Sequence, residues 1–148
     1  MSYQERRTLA NLVGTILVNV LYTAYMMQRY PTAGDYSPEI FHYWATFFLI
    51  LIPISILAYI IIYIVFSILN AITTREVEPD ITDERDRLIE LKGNQIAAYV
   101  FGIGFILAMI ALVASLPPAA MFAILLCAGL ASEMLSSLLQ FYFYRRGV

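Results

Sequence analysis

Glu133, Ser136, Ser137 and Gln140 follow i, i+3/i+4, i+7 spacing, which on a helix puts a carboxyl, two hydroxyls and an amide on one face. Such a row can hold a proton, bind a polar ligand, or do neither and simply fix helix register. Glu133 is the only charged residue between Leu116 and Tyr144, in a stretch otherwise built from Ala, Leu, Ile, Met, Phe and small polar residues. About 20 apolar residues cross a bilayer core, so the stretch reads as a spanning helix with Glu133 close to its middle. A carboxylate at that depth costs about 3 kcal/mol or more unless it is protonated, paired or wetted. An acid placed there is a candidate functional site.

A second polar row lies near the N-terminus, where Thr8, Asn11, Thr15, Asn19 and Thr23 fall close to one helical face. Counting from the nearest arginines matches depths. Asn19 is 12 residues from Arg7 and Glu133 is 12 from Arg145, each roughly 18 Å in at 1.5 Å per residue. Ser55 lies near the middle of another apolar run, and Gly102 and Gly104 near the middle of a fourth. The expected midplane layer therefore holds Glu133, Asn19 and Ser55, beside a gap left by the two glycines. No Lys or Arg lies at this depth to pair with Glu133, so the neutral acid is expected to donate to Asn19 or Ser55. Three roles stay open for this layer. Asn19 and the serines satisfy the acid and fix register, or they form a proton or ligand site, or the acid meets a second subunit.

Other chemistries are thinly supplied. One histidine, His42, sits beside Tyr43 and Trp44, and one cysteine, Cys127, lies inside the last apolar run. They make no disulfide, no Cys-x-x-Cys pair and no two-histidine haem site. Cys127 is expected to pack as a small residue and His42 to sit at a membrane interface. There is no phosphate-cradling glycine loop and no Ser/His/Asp set. No catalytic residue, metal site or cofactor is expected, so the chain is read as not an enzyme.

The elements that must carry these residues follow from hydropathy. The 148-residue chain is 61% hydrophobic and 14% charged, with a mean hydropathy of +0.74. That balance is far from a soluble globular one. A net charge of −2 with no basic stripe argues against nucleic acid as a partner. Apolar runs at about 8–28, 41–70, 94–115 and 119–144 each exceed the length needed to span. Arg6 and Arg7 precede the first, which is too long for a signal core and is read as a retained helix. The expectation is all-α: a single membrane domain over 1–148, a four-helix transmembrane bundle. Pro53 is expected to bend the long second span.

Eight of the nine basic residues fall on one side of this arrangement, with Arg29 alone on the other. The positive-inside rule then puts both termini and the 71–93 loop in the cytoplasm. Tyr25, Tyr30, Tyr36, Phe41, Tyr43 and Trp44 are expected at the outer interface, and Phe141 to Tyr144 with Tyr3 at the inner one. Small residues recur every fourth position in the last span, at Ala119, Ala123, Cys127 and Ala131, and a second row runs Ala120, Ile124, Ala128, Ser132, Ser136. Either row suits close helix packing, within the chain or in a homo-oligomer.

The segment before the third span reads as a short charged cytoplasmic helix running into it. Asp80 or Thr82 caps it, and Asp83 and Glu84 suit the positive end of its dipole. Asp83, Glu84, Arg85, Asp86, Arg87 and Glu90 are candidates for docking a soluble partner, with Leu88 and Leu91 as an apolar face. Asp83-Glu84-Arg85-Asp86 with Ile89-Glu90-x-Lys92 resembles a segment of small four-span prokaryotic membrane proteins of unknown function, some encoded beside transcription regulators. The resemblance implies four spans, a prokaryotic cytoplasmic membrane and a regulatory companion. The expected function is therefore sensing, regulatory or accessory, with the lipid bilayer and a cytoplasmic regulatory protein as partners. The alternative is a proton-coupled transporter or exporter of small amphipathic compounds, working as an oligomer because four spans enclose little volume.

Overall fold

The computed structural model describes residues 3–74 and 84–146, with side chains at 4–73 and 84–146. Four helices follow in order: α1 (Tyr3–Met27), α2 (Pro38–Thr74), α3 (Glu84–Val113) and α4 (Pro118–Arg146). All four are long and apolar enough to cross a membrane. The chain is thus an all-α, multi-pass membrane bundle, and no strand occurs among the described residues. Proline opens both α2 and α4, where its missing N–H has no intrahelical partner to lose.

The helices alternate in direction, so the charged ends of α1, α3 and α4 gather at one end of the bundle. Arg7, Asp86, Glu90 and Tyr144 line one small cavity there. This is the basic end. The charged segment is continuous with α3, since helix runs unbroken from Glu84. Asp80, Thr82 and Asp83 lie outside the described residues. α2 has 37 residues, or about 55 Å, well beyond a hydrocarbon core of about 30 Å. It passes through Pro53 as one helix, as spanning helices tolerate.

The opposite end is closed by aromatic rings. Tyr22 and Met26 of α1 meet Ile40, Trp44 and Phe47 of α2, with Phe122 of α4 packed against them. Phe47 is 0% exposed, and Trp44 stacks on Phe122 at 5.5 Å with 13° between planes. Two phenols tie the backbones together. Tyr22 Oη donates to Phe47 O at 2.8 Å, and Tyr43 Oη donates to Met26 O at 2.7 Å. Trp44, expected among the aromatics of the outer boundary, lies at this end of the bundle but is 4% exposed and packs as core. Lipid offers apolar side chains no drive to associate, and broad, shape-matched rings gain packing that aliphatic chains do not.

Contacts between helices are uneven. α1 packs on α2 and α4, and α2 reaches α4, but among the described residues the α3 backbone approaches α4 alone. Small residues make that approach possible. Gly104, Ala108 and Ala111 of α3 are buried, as are Ala128 and Pro118 of α4. A Cβ on Gly104 would collide with the Ala128 side chain. Ala128 thus fills the space directly over Gly104, and the two residues border a separate groove of about 440 Å³ that Glu133 does not line. Gly102 is open, with nothing within 4 Å of a built Cβ. The two small-residue rows of α4 also separate. Ala128 and Ser136 turn inward, whereas Ala123, Cys127 and Ala131 are exposed.

The turn into α4 is set by backbone hydrogen bonds. Leu116 N donates to Ala111 O at 3.0 Å and Ser115 N to Leu112 O at 3.0 Å, a Schellman pair. Ser115 accordingly takes φ 61°, a left-handed conformation that a Cβ disfavours. Ser115→Gly should raise thermal stability in detergent by about 1 kcal/mol by relieving that penalty. Gly104→Leu should lower it by about 1–3 kcal/mol, the usual cost of overpacking. Equal melting points for Gly104→Leu and wild type would mean that α3 is not seated on α4 as described.

Candidate functional site

The open α2–α3 side of the bundle leaves a cleft of about 400 Å³. Its floor is α4 from Phe122 to Glu133, with Asn19 of α1 behind. Phe48, Leu51 and Ser55 of α2 form one wall and Phe101 of α3 contributes the other. Because those two helices do not meet, the mouth opens sideways between spanning segments, at hydrocarbon depth. Its walls are mostly apolar. Glu133 is the one ionisable residue lining it, at the edge nearest the basic end, and it is exposed to the opening.

Three of the residues expected at midplane do meet here: Glu133, Asn19 and Ser55. The hydrogen bonding differs from expectation. Thr15 Oγ1 donates to Glu133 Oε1 at 3.4 Å, a long contact, while Asn19 Nδ2 is turned back onto Thr15 O at 2.9 Å. Counting from arginines chose a partner one turn too far up α1. Equal residue counts from Arg7 and Arg145 fix depth only to about a helical turn, and the packing of α1 on α4 sets Thr15, not Asn19, against the acid. Thr15 was legible as part of the same polar face, one turn below Asn19.

The remaining polar residues of α4 belong to other groups. Ser132 Oγ donates to Gly129 O of its own helix at 2.8 Å. Ser136 Oγ donates to Asn94 Oδ1 on α3 at 3.4 Å and accepts from Gln140 Nε2 at 3.2 Å. This cluster packs over Gly93, where a Cβ would come within 2.9 Å of Gln140 and 3.1 Å of Ser136. Ser136 thus bridges α3 and α4 and does not touch the acid. Ser137 is half-buried and lines neither the cleft nor the cavity at the basic end.

That second cavity, of about 150 Å³, is polar and draws on all four helices. Arg7, Thr8 and Asn11 come from α1, Tyr59 from α2, Asp86 and Glu90 from α3, and Gln140 and Tyr144 from α4. Asn11 is therefore part of this cavity and not of the Glu133 layer. The docking candidates divide as well. Asp86 and Glu90, one turn apart, face the cavity, and Gln4 Nε2 reaches Asp86 Oδ2 at 3.5 Å. Arg85, Arg87, Leu88 and Leu91 are exposed, while Ile89, 3% exposed, anchors the segment. Nothing in residue type marked Asp86 and Glu90 as inward-facing; that depends on the rotation of α3 on α4.

The two cavities lie along one polar file. On α1, Thr8 and Asn11 line the lower cavity, Thr15 contacts Glu133, and Asn19 lines the cleft. On α4, Glu133 and Gln140, two turns apart, mark the same two levels. No group of three or more His, Cys, Asp or Glu side chains able to hold a metal occurs among the described residues. His42 Nδ1 is in contact with Thr46 Oγ1 of its own helix at 3.3 Å. No protein-family model, curated protein or solved structure matches the chain.

The Thr15–Glu133 contact is testable as a coupling. In a double-mutant cycle on Thr15→Val and Glu133→Gln, detergent stability should show about 0.6 kcal/mol of interaction, the average for interhelical hydrogen bonds in membranes. Asn19→Leu paired with Glu133→Gln should couple less. Strict additivity in the first pair would remove Thr15 from the site.

Proposed function

We propose that this chain is a non-enzymatic protein of a prokaryotic cytoplasmic membrane that binds a small amphipathic compound in the Glu133 cleft and signals its presence to a cytoplasmic partner. The observation that carries this reading is that Phe101 of the cleft wall and the charged segment from Glu84 to Lys92 belong to one unbroken helix. A compound entering between α2 and α3 presses on the same element that offers Arg85, Arg87, Leu88 and Leu91 at its end. The basic end is assigned to the cytoplasm by the eight-to-one asymmetry of Arg and Lys. The likeness of the 83–92 segment to that of regulator-linked four-span proteins supports the same reading.

A second reading, proton-coupled transport, is favoured by the polar file between Glu133 and the cavity at the basic end. It requires more than one chain. The exposed row of Ala123, Cys127 and Ala131 offers a face for a second copy.

Photo-crosslinkers at Arg85 and Leu88 in cells separate the two. Capture of a soluble protein, altered when Gly129→Leu fills the cleft, is the expected result for signalling. No capture, together with charge reversal at Arg85 and Arg87 that leaves cells unchanged, would remove its basis. Uptake that depends on pH and disappears in Glu133→Gln would favour transport. In a Cys127→Ala background, an impermeant thiol reagent should label Asp35→Cys and not Glu84→Cys in intact cells. The reverse pattern would invert the orientation.

A further inference from the structure

The cleft is chemically polarised along its length. From Phe122 to Glu133 its floor covers 12 residues of α4, about 16 Å, with the paired rings of Phe48 and Phe122 at one end and the carboxyl, on the side of Phe101, at the other. Phe48, Phe101 and Phe122 offer ring faces, and no Lys or Arg is among the lining residues. A volume of about 400 Å³ suits a compact organic molecule. A neutral ligand leaves the acid with only the long Thr15 contact. An anionic ligand meets a repelling or indifferent edge. A monocation satisfies both halves, because its charge is neutralised by the carboxylate and its apolar body lies among rings that attract cations.

We infer that the ligand of the Glu133 cleft is a lipophilic monocation with an aromatic or bulky apolar body, and that it binds in exchange for the proton of Glu133, which leaves toward the basic end. This rests on the reading of the cleft as a ligand site. The exchange balances in charge and atoms: the neutral acid and the cation give a carboxylate–cation pair and one released proton. The exit side follows from what surrounds Glu133. On α1 it faces Thr15 and Asn19, with Arg7 further down. On α2 there are Ser55 and then Tyr59, and on α3 Phe101, with Asp86 and Glu90 beyond. On its own helix Tyr142 and then Tyr144 follow toward the basic end, Tyr144 lining the lower cavity, and the exposed Cys127 lies the other way, outside the cleft lining. The charged groups among these, Arg7, Asp86 and Glu90, all line the lower cavity, whereas the opposite direction leads into the aromatic knot, where the Tyr22 and Tyr43 phenols are committed to backbone carbonyls. Thr15, Asn11 and Gln140 supply hydroxyl and amide groups between the two levels.

The experiment uses the full chain in lipid nanodiscs, with empty nanodiscs subtracted. Three probes of similar bulk are titrated calorimetrically: tetraphenylphosphonium, tetraphenylborate and neutral triphenylphosphine oxide. The phosphonium should bind at least tenfold more tightly than either of the others. Repeating the titration in buffers of different ionisation enthalpy should show about one proton released per cation bound, and affinity should rise about tenfold per pH unit while Glu133 is protonated. Glu133→Gln should weaken the phosphonium at least tenfold and abolish proton release. Gly129→Leu, placed where a glycine Cβ has nothing within 4 Å, should block the cleft and all binding there. If the oxide or borate binds as well as the phosphonium and Gly129→Leu removes that binding, the cleft is a ligand site but the cation exchange is wrong. Cation binding without proton release also overturns the exchange. Probe binding that Gly129→Leu leaves intact, or no binding of any probe, overturns the cleft as a ligand site.

Discussion

The attachment of α3 to α4, and among the described residues to no other backbone, is the constraint on which the rest of this protein depends. It is set by the absence of side chains. Gly104 brings the α3 backbone onto Ala128, and Gly93 does the same under Ser136 and Gln140. In hydrocarbon, where aliphatic side chains gain nothing by leaving lipid, such close approaches decide which helices pair. Seated this way, α3 stands away from α2, and the space between them is the cleft. A bundle closed on all four sides would have buried Glu133 against protein instead of opening it to the membrane.

Polar groups follow the same logic of scarcity. Several of those within the spans find a partner in their own helix, as Asn19 and Ser132 do, while among the described residues Thr23 Oγ1 and Trp44 Nε1 are buried without one. Contacts between helices are fewer and longer, at 3.4 Å for both Thr15–Glu133 and Ser136–Asn94. Glu133 is held by one of these long contacts, from Thr15. An acid kept at hydrocarbon depth with one long contact is energetically unfavourable for folding alone, which separates it from the register-fixing polar residues around it.

Much of the architecture was legible because it depends on composition. Run length gave four spans, basic asymmetry gave their alternation, and the charged segment continued into α3 as its helix-forming residues suggested. The polar layer was partly legible: Glu133, Asn19 and Ser55 do line one cavity. Rotation and pairing were not. Trp44 has the same residue type whether it faces headgroups or Phe122, and a glycine's neighbour is invisible until two helices are placed. Thr15 rather than Asn19 meets the acid because the relative shift of α1 along α4 is set by packing and not by residue counts from the helix ends. Ser136 and Asn11 moved to other groups for the same reason, since a shared helical face spans several layers and only packing assigns each layer its partner.

The aromatic knot makes the bundle resemble a pair of tongs. The α1–α2 hairpin and the α3–α4 hairpin are pinned where Trp44 meets Phe122, and they close again around the polar cavity at the other end. Distances along α4 fix the leverage. Glu133 lies 11 residues from Phe122 and Tyr144 lies 22, about 16 and 33 Å from the pivot. Rigid opening about the knot would therefore double on its way down, so a widening of about 1 Å beside Glu133 becomes about 2 Å between the jaws at Tyr144. The grip on Asp86 and Glu90 is then set from the middle of the membrane.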